Sequence, residues 1–365
     1  MRSQLLRVHP GASHVGCARF LCALRVDGRW AFLPYCARGD SIMKRVAKPA
    51  GAYNIILEEV DVPKIAATEV LVRAERSLIS RGSEIWRRYV REEAIDHRSM
   101  GYSLVGRIAE VGEQVEDFAV GDQVAVVAPH AEYVAMEVVN PRHRPSVVRL
   151  PEAVSAEAGT FWPLSTSSVL WMWQTAAGAD DTMVIQGQGL VGSLCMQAAK
   201  AQGVDRVIGI DALPLRCELA RELGIDAIID ASAEDPIAKV LELTDGQGAE
   251  IVVEAVGGRA GAAAFEQAQD MLKRGGLLQV LGLYEEEPLP LYSGKIMGKR
   301  LVGSYLDASL RPEGSARALE LLASGAIQAE KMITHRFPYQ EAAEAFGLLY
   351  DRLGETMAVL LTWDD

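Results

Sequence analysis

The chain has 365 residues, with 37 Lys and Arg against 49 Asp and Glu and a net charge of −12. That acid excess, with no long basic cluster, argues against nucleic acid and anionic membrane as partners. The length suits two domains of roughly 150 residues each, and the most apolar stretch, 161–173, is interrupted by Ser165, Thr166, Ser167 and Ser168 and is too short to cross a bilayer.

In chain order, the first 42 residues stand apart. They carry Arg2, Arg7, Arg19, Arg25, Arg29 and Arg38 against Asp27 and Asp40, and they hold Cys17, Cys22 and Cys36. An Arg-rich, acid-poor start has the composition of a transit peptide, yet no amphipathic helix is evident, which favours Met43 as the start of the folded protein. On that reading 1–42 is a disordered or mis-assigned extension. The remaining cysteines, Cys195 and Cys217, have no zinc-knuckle spacing, so a reduced cytoplasmic protein is expected. From Val46 the chain is β-rich: 69–73, 101–111, 123–127 and 132–138 have strand bias, punctuated by Gly112, Gly121-Asp122 and Pro129. A helix is predicted over 155–176, with Ser155 as N-cap and Glu157 in its first turn.

Strands and helices then alternate, with candidate strands at 183–186, 206–210, 227–229, 251–254, 277–281 and 300–303. That alternation predicts a doubly wound parallel sheet of the Rossmann type. Beyond it, 312–324 and 339–351 read as helices and 334–337 and 357–361 as strands; with no place in that sheet, they return the chain to the first domain. The expected fold is therefore α/β, a Rossmann domain over 166–307 and a β-rich domain built from 43–165 and 308–365.

The most informative segment is Met183 to Gly192, Met-Val-Ile-Gln-Gly-Gln-Gly-Leu-Val-Gly. A buried strand feeds Gly187, Gly189 and Gly192 at the start of a helix over 193–201. Gly187 permits a tight turn, Gly189 a close approach of pyrophosphate, and Gly192 close packing of the helix, whose N-terminal N–H groups face the anion. Gln188, Leu190 and Val191 complete the phosphate-binding turn. Asp211 follows nineteen positions after Gly192, at the end of the next strand, where its carboxylate can accept both adenosine ribose hydroxyls. A 2′-phosphate there would meet like charge, so NAD is the expected cofactor.

These residues, with Ile79-Ser80-Arg81-Gly82-Ser83-Glu84, Gly101-Tyr102-Ser103-Leu104-Val105-Gly106 and Pro129-His130-Ala131-Glu132-Tyr133, resemble the medium-chain dehydrogenase/reductase superfamily from Met43 to the C-terminus. The likeness is strongest to its branch named after hydroxyethyl bacteriochlorophyllide dehydrogenase. It implies a GroES-like barrel for the β-rich domain and a homodimer or homotetramer. Zinc-dependent relatives carry a cysteine where Ser80 stands, a His-Glu pair where Tyr102-Ser103 stands, and a cysteine or acid where Pro163 stands. They also carry a four-cysteine lobe, which is missing between Val127 and His130. The resemblance thus implies no catalytic and no structural zinc. It further places Ala255, Val256, Gly282, Leu283 and Tyr284 beside the nicotinamide, Arg216 near the adenine, and His130, Glu84 and Trp162 at the substrate pocket.

Without zinc, side chains must polarise the substrate oxygen, and the candidates are Tyr102, His130, Ser80 and Ser103. The expected reaction is hydride transfer between a small secondary alcohol or ketone and NAD. Reduction of an activated double bond with NADPH, or a non-catalytic nucleotide-binding protein, are the alternatives. His97, His143 and His335 have no partner motif and read as surface or strand-end residues.

Overall fold

A computed structural model describes residues 20–26, 29–35, 42–141, 145–282 and 288–363. Contacts divide the chain into two compact units between Ile42 and Met43. In the first, strands β1 (Phe20–Val26) and β2 (Arg29–Tyr35) pair antiparallel with Val26 opposite Arg29.

The second unit begins with β3 (Ile42–Ala47) and β4 (Ile56–Asp61), which pair with each other. The next strands are β5 (Glu69–Ile79), β6 (Leu104–Val111), β7 (Gln123–Val126), β8 (Tyr133–Glu137) and β9 (Val147–Arg149). Between β5 and β6 lies a π-helix, Arg81–Tyr89. The predicted strand over 101–111 starts only at Leu104, because Gly101 turns the backbone at φ +107°. The predicted helix over 155–176 is two: α1 (Ala156–Gly159), whose N-cap Ser155 accepts the Ala158 N–H, and α2 (Trp162–Thr175). Pro163 lies in the first turn of α2, where a missing N–H costs nothing, so the second helix starts afresh there.

The nucleotide-binding half follows. Strands β10 (Thr182–Gln186), β11 (Arg206–Asp211), β12 (Ala227–Asp230), β13 (Ala249–Glu254), β14 (Leu272–Val280) and β15 (Arg300–Gly303) form one parallel sheet in the order β12-β11-β10-β13-β14-β15. Helices α3 (Leu190–Gln202), α4 (Pro214–Glu222), α5 (Pro236–Leu243), α6 (Gly258–Met271) and α7 (Ser293–Ile296) connect them. Met183 to Gln186 are all buried, as expected for a strand covered on both faces. The order reverses between β10 and β13, which places the ligand crevice at their C-terminal ends.

The chain then runs through α8 (Arg311–Ala323), β16 (Ile333–Pro338), α9 (Ala342–Asp351) and β17 (Ala358–Thr362). Strand β17 pairs antiparallel with β5, Val359 opposite Ile79. One hydrophobic cluster joins Leu78 and Val105 of the β-rich sheet through Phe161 and Trp162 to Met183 and Ile185 of the parallel sheet. Phe161 and Trp162 are 0% and 1% exposed, and such burial contributes about 1.5–3 kcal/mol per large apolar side chain.

Candidate active site

The glycine turn sits where β10 ends. Gly187 has φ +90°, and a Cβ there would lie 3.0 Å from the backbone of Ala255 and Val256. A Cβ on Gly192 would lie 1.8 Å from the Gly187 carbonyl oxygen, so only glycine lets the first turn of α3 close on the strand. Gly189 is the N-cap of α3 and supplies no side-chain cap, which leaves first-turn N–H groups for an anion. The Gln188 side chain turns inward to the Ile185 carbonyl (2.9 Å) and is 0% exposed; only its backbone belongs to the site.

Asp211 ends β11 and is held in place by two backbone donors, Gln188 N–H to Oδ2 (2.8 Å) and Leu213 N–H to Oδ1 (2.9 Å). Arg216 Nη1 lies 3.6 Å from Asp211 Oδ2, and its guanidinium covers Gly189, 3.4 Å from where a Cβ would be. The π-helix carries a second cation, Arg81, within range of the charges of both. Burial and then the charge of Arg216 lower its pKa to about 10, while Asp211 opposes the shift. Arg81 donates to the Leu349 carbonyl (3.3 Å) and lies 5.6 Å from the Trp86 ring centroid. Trp86 in turn packs on Gly258, whose added Cβ would meet the indole at 3.6 Å. The motif quoted around Ser80 contains Arg81, but its role depends on a contact across the fold that no local pattern displays.

Glu254, at the end of β13, is the buried polar group of the opposite loops. Its Oε1 accepts the Val256 N–H (2.8 Å), and the N–H groups of Gly257 and Gly282 also reach it. Burial pushes its pKa up to about 7 against those bonds. It thereby ties the 255–257 loop to the one that begins at Gly282. Leu283, Tyr284 and His143 lie outside the described residues.

The candidate catalytic residues form a hydrogen-bonded chain. Tyr102 donates to Ser80 Oγ (2.7 Å), Ser80 N–H donates to Glu84 Oε2 (2.7 Å), and Glu84 Oε1 pairs with His130 Nε2 (2.9 Å). His130 Nδ1 meets Ser77 Oγ (2.8 Å), which also accepts the Trp363 indole N–H (2.8 Å). Burial is the main cause that pushes the Tyr102 hydroxyl up to about 12, with its bond to Ser80 opposing. Ser103 is 1% exposed and its Oγ has no partner among the described residues.

Three expectations are corrected here. His130, expected at the substrate pocket, is 0% exposed with both ring nitrogens engaged, because its N–H and carbonyl bond Met100 and Val46 and turn the ring inward. Glu84 is 0% exposed and faces that ring instead of a pocket. Trp162 is buried in the shared core and donates its indole N–H to Ser315 (3.0 Å).

Residues 191–324 match the family of zinc-binding dehydrogenases. With the parallel sheet, the β-rich domain and full-length likenesses, this makes the chain similar to oxidoreductases of the medium-chain dehydrogenase type. Among particular relatives, the chain is 28% identical to L-threonine 3-dehydrogenase of Bacillus licheniformis, over 88% of this chain and 99% of that one. It is 26% identical to sorbitol dehydrogenase of Bacillus subtilis, over 84% and 94%. Among solved structures, alcohol dehydrogenase TADH from Thermus sp. ATN1 superposes with a TM-score of 0.75 at 25% identity, covering 88% of this chain and 99% of that one. No helix among the described residues is long and apolar enough to cross a membrane.

Proposed function

We propose that this protein is an NAD(H)-dependent, zinc-independent oxidoreductase that interconverts a secondary alcohol and a ketone by hydride transfer. The observation that carries the reading is the Asp211 carboxylate held by two backbone donors beside the Gly187–Gly192 turn. It is pre-oriented to accept the hydroxyls of an adenosine ribose. The open N-terminus of α3, with Arg81 and Arg216, suits the pyrophosphate, and Ala255, Val256 and Gly282 are assigned to the nicotinamide side. Bound nicotinamide would supply the hydride acceptor or donor.

The proton is the task of the protein. Tyr102, with its hydroxyl pushed up to about 12, is a neutral donor at pH 7 and can hydrogen-bond a substrate oxygen. Ser80 accepts from Tyr102 and is the next acceptor for a proton that Tyr102 takes from the substrate oxygen; Ser103, the remaining candidate, is buried with no partner for its hydroxyl among the described residues. His130 acts as a positioning residue: through Glu84 it holds the Ser80 backbone.

The donor set does not suit zinc. Ser80, Tyr102 and Ser103 offer neutral hydroxyls and Pro163 offers no donor, where zinc requires thiolate, imidazole or carboxylate. Among the described residues, no group of three or more His, Cys, Asp and Glu could hold a metal ion. The matched zinc-binding dehydrogenase segment, 191–324, contains none of these positions, so its name says nothing about them. The alcohols named in the relatives, threonine and sorbitol, support alcohol oxidation as the reaction type. A second reading, NADP, is favoured by the two guanidinium groups near Asp211.

The test is turnover of a secondary-alcohol panel with NAD and NADP after exhaustive chelation. NAD-linked oxidation that survives chelation and drops by about 10²-fold or more in Tyr102→Phe is expected. Loss of all activity on chelation, restored by zinc, sinks the zinc-independent reading. Self-association into a homodimer or homotetramer is also proposed. Its support is the exposed apolar set Leu291, Tyr292, Met297, Leu301, Tyr305 and Leu310 around the edge strand β15. Sedimentation of a monomer at micromolar concentration would reject it.

A further inference from the structure

Arg81 and Trp86 are five positions apart in the nine-residue π-helix Arg81–Tyr89. In an α-helix, side chains five apart point about 140° away from each other around the axis. Bonds from i to i+5 instead make them neighbours one turn apart. The Arg81 guanidinium accordingly lies over the indole, its Cζ 5.6 Å from the Trp86 ring centroid. One end of α9 holds both: the Leu349 carbonyl accepts the Arg81 Nε–H (3.3 Å), and Tyr350 meets Trp86 edge to face with centroids 5.9 Å apart. The two Nη groups of Arg81 bond nothing among the described residues and are not shut off from solvent.

The place of this pair is fixed by contact. The edge of the indole faces Gly258, where a Cβ would lie 3.6 Å from Cε2 and 3.7 Å from Nε1. Gly258 is four residues past Glu254, which ends β13 opposite Gln186 at the end of β10. Between those two strand ends the order of the sheet reverses, so Trp86 and Arg81 stand at the mouth of the dinucleotide crevice. We propose that Trp86 is a positioning residue for the cofactor, a platform that holds the Arg81 guanidinium ready for the pyrophosphate. The inference rests on the proposed dinucleotide reading. An arginine already fixed by a carbonyl at Nε and a ring at its face has less freedom left to lose when an anion binds. The ring takes up none of its N–H groups, so both Nη remain donors. A carboxylate in place of the indole would fix Arg81 as firmly but would cancel the charge that an anion needs.

The test is a double-mutant cycle on NADH affinity, read by nicotinamide fluorescence on the full chain. Trp86→Leu, which keeps apolar bulk without a π face, should weaken NADH about three- to tenfold, and Trp86→Phe should recover part of the loss. Arg81→Gln should weaken it about tenfold, and in that background Trp86→Leu should change it by less than about twofold. Should the leucine variant not fold, the same cycle closes with Trp86→Phe and a smaller coupling. Unchanged affinity in either single variant, or an equal loss from the Trp86 change in both backgrounds, would reduce Trp86 to packing and overturn the proposal. If the unaltered protein binds NADPH but not NADH, the cycle is run with NADPH, which carries the same pyrophosphate. Coupling seen there would reject the NAD reading and leave the pair standing. Binding of neither would reject the dinucleotide reading and the proposal with it.

Discussion

The two polar regions of the second unit are built on opposite plans. Around the Gly187–Gly192 turn, backbone donors are left open and Arg216 stands beside the Asp211 carboxylate, whose charge also acts on Arg81, with no side chain capping α3. In the β-rich domain, Ser77, Ser80, Glu84, Tyr102 and His130 bond one another and the groups are closed off. An open set of N–H groups waits for a ligand to complete it; a closed network fixes its own geometry and presents one edge, the Tyr102 hydroxyl. The first region reads as binding and the second as a rigid support for chemistry.

Substitutions can break this contrast at either end. The largest effect is expected from His130→Ala, which strands the Glu84 carboxylate at 0% exposure without its imidazole. A loss of about 3–5 kcal/mol is expected in urea unfolding; a loss under about 1 kcal/mol would mean that the network supports nothing. Gly192→Ala comes next, since its Cβ would lie 1.8 Å from a carbonyl oxygen. About 1–3 kcal/mol of stability should go, together with at least about tenfold in NADH affinity read by nicotinamide fluorescence. Unchanged affinity would remove the turn from the binding site.

Asp211→Ser should move the ratio of NADPH to NADH affinity by about tenfold toward NADPH, because Arg81 and Arg216 then lack their carboxylate. If the ratio does not change, the carboxylate does not set cofactor choice. The smallest effect concerns pH. Burial raises Glu254 from 4.5 to about 7, so the stability tied to its protonated form is complete below pH 4.5 and is lost as pH rises through about 7. Hydrogen exchange of the Val256 and Gly257 amides should quicken over that range beyond the intrinsic base dependence, and Glu254→Gln should flatten the excess. A flat excess in the unaltered protein would place the carboxylate outside the loop.

What was legible in the sequence was local. The apolar run into Gly187, Gly189 and Gly192 and the acid nineteen positions on specify a strand, a turn and a helix within one βαβ unit, because each constraint acts between near neighbours in the chain. The return of β17 to β5 followed from strands with no place in the sheet. By contrast, whether His130 faces a substrate or a carboxylate was decided by where β5, the π-helix and the chain after β17 bring Ser77, Glu84 and Trp363. Ser77 and Glu84 lie 53 and 46 positions from His130, and Trp363 lies 286 positions from the Ser77 it donates to, so no spacing rule connects them. The same holds for Arg81, on which the charges of Arg216 and Asp211 act from across the fold. The sequence alone determined that a dinucleotide turn is present, because turn geometry is a property of consecutive residues. Only the tertiary structure decided which side chains are closed off and which remain open for chemistry, because burial and pairing are properties of the packed whole.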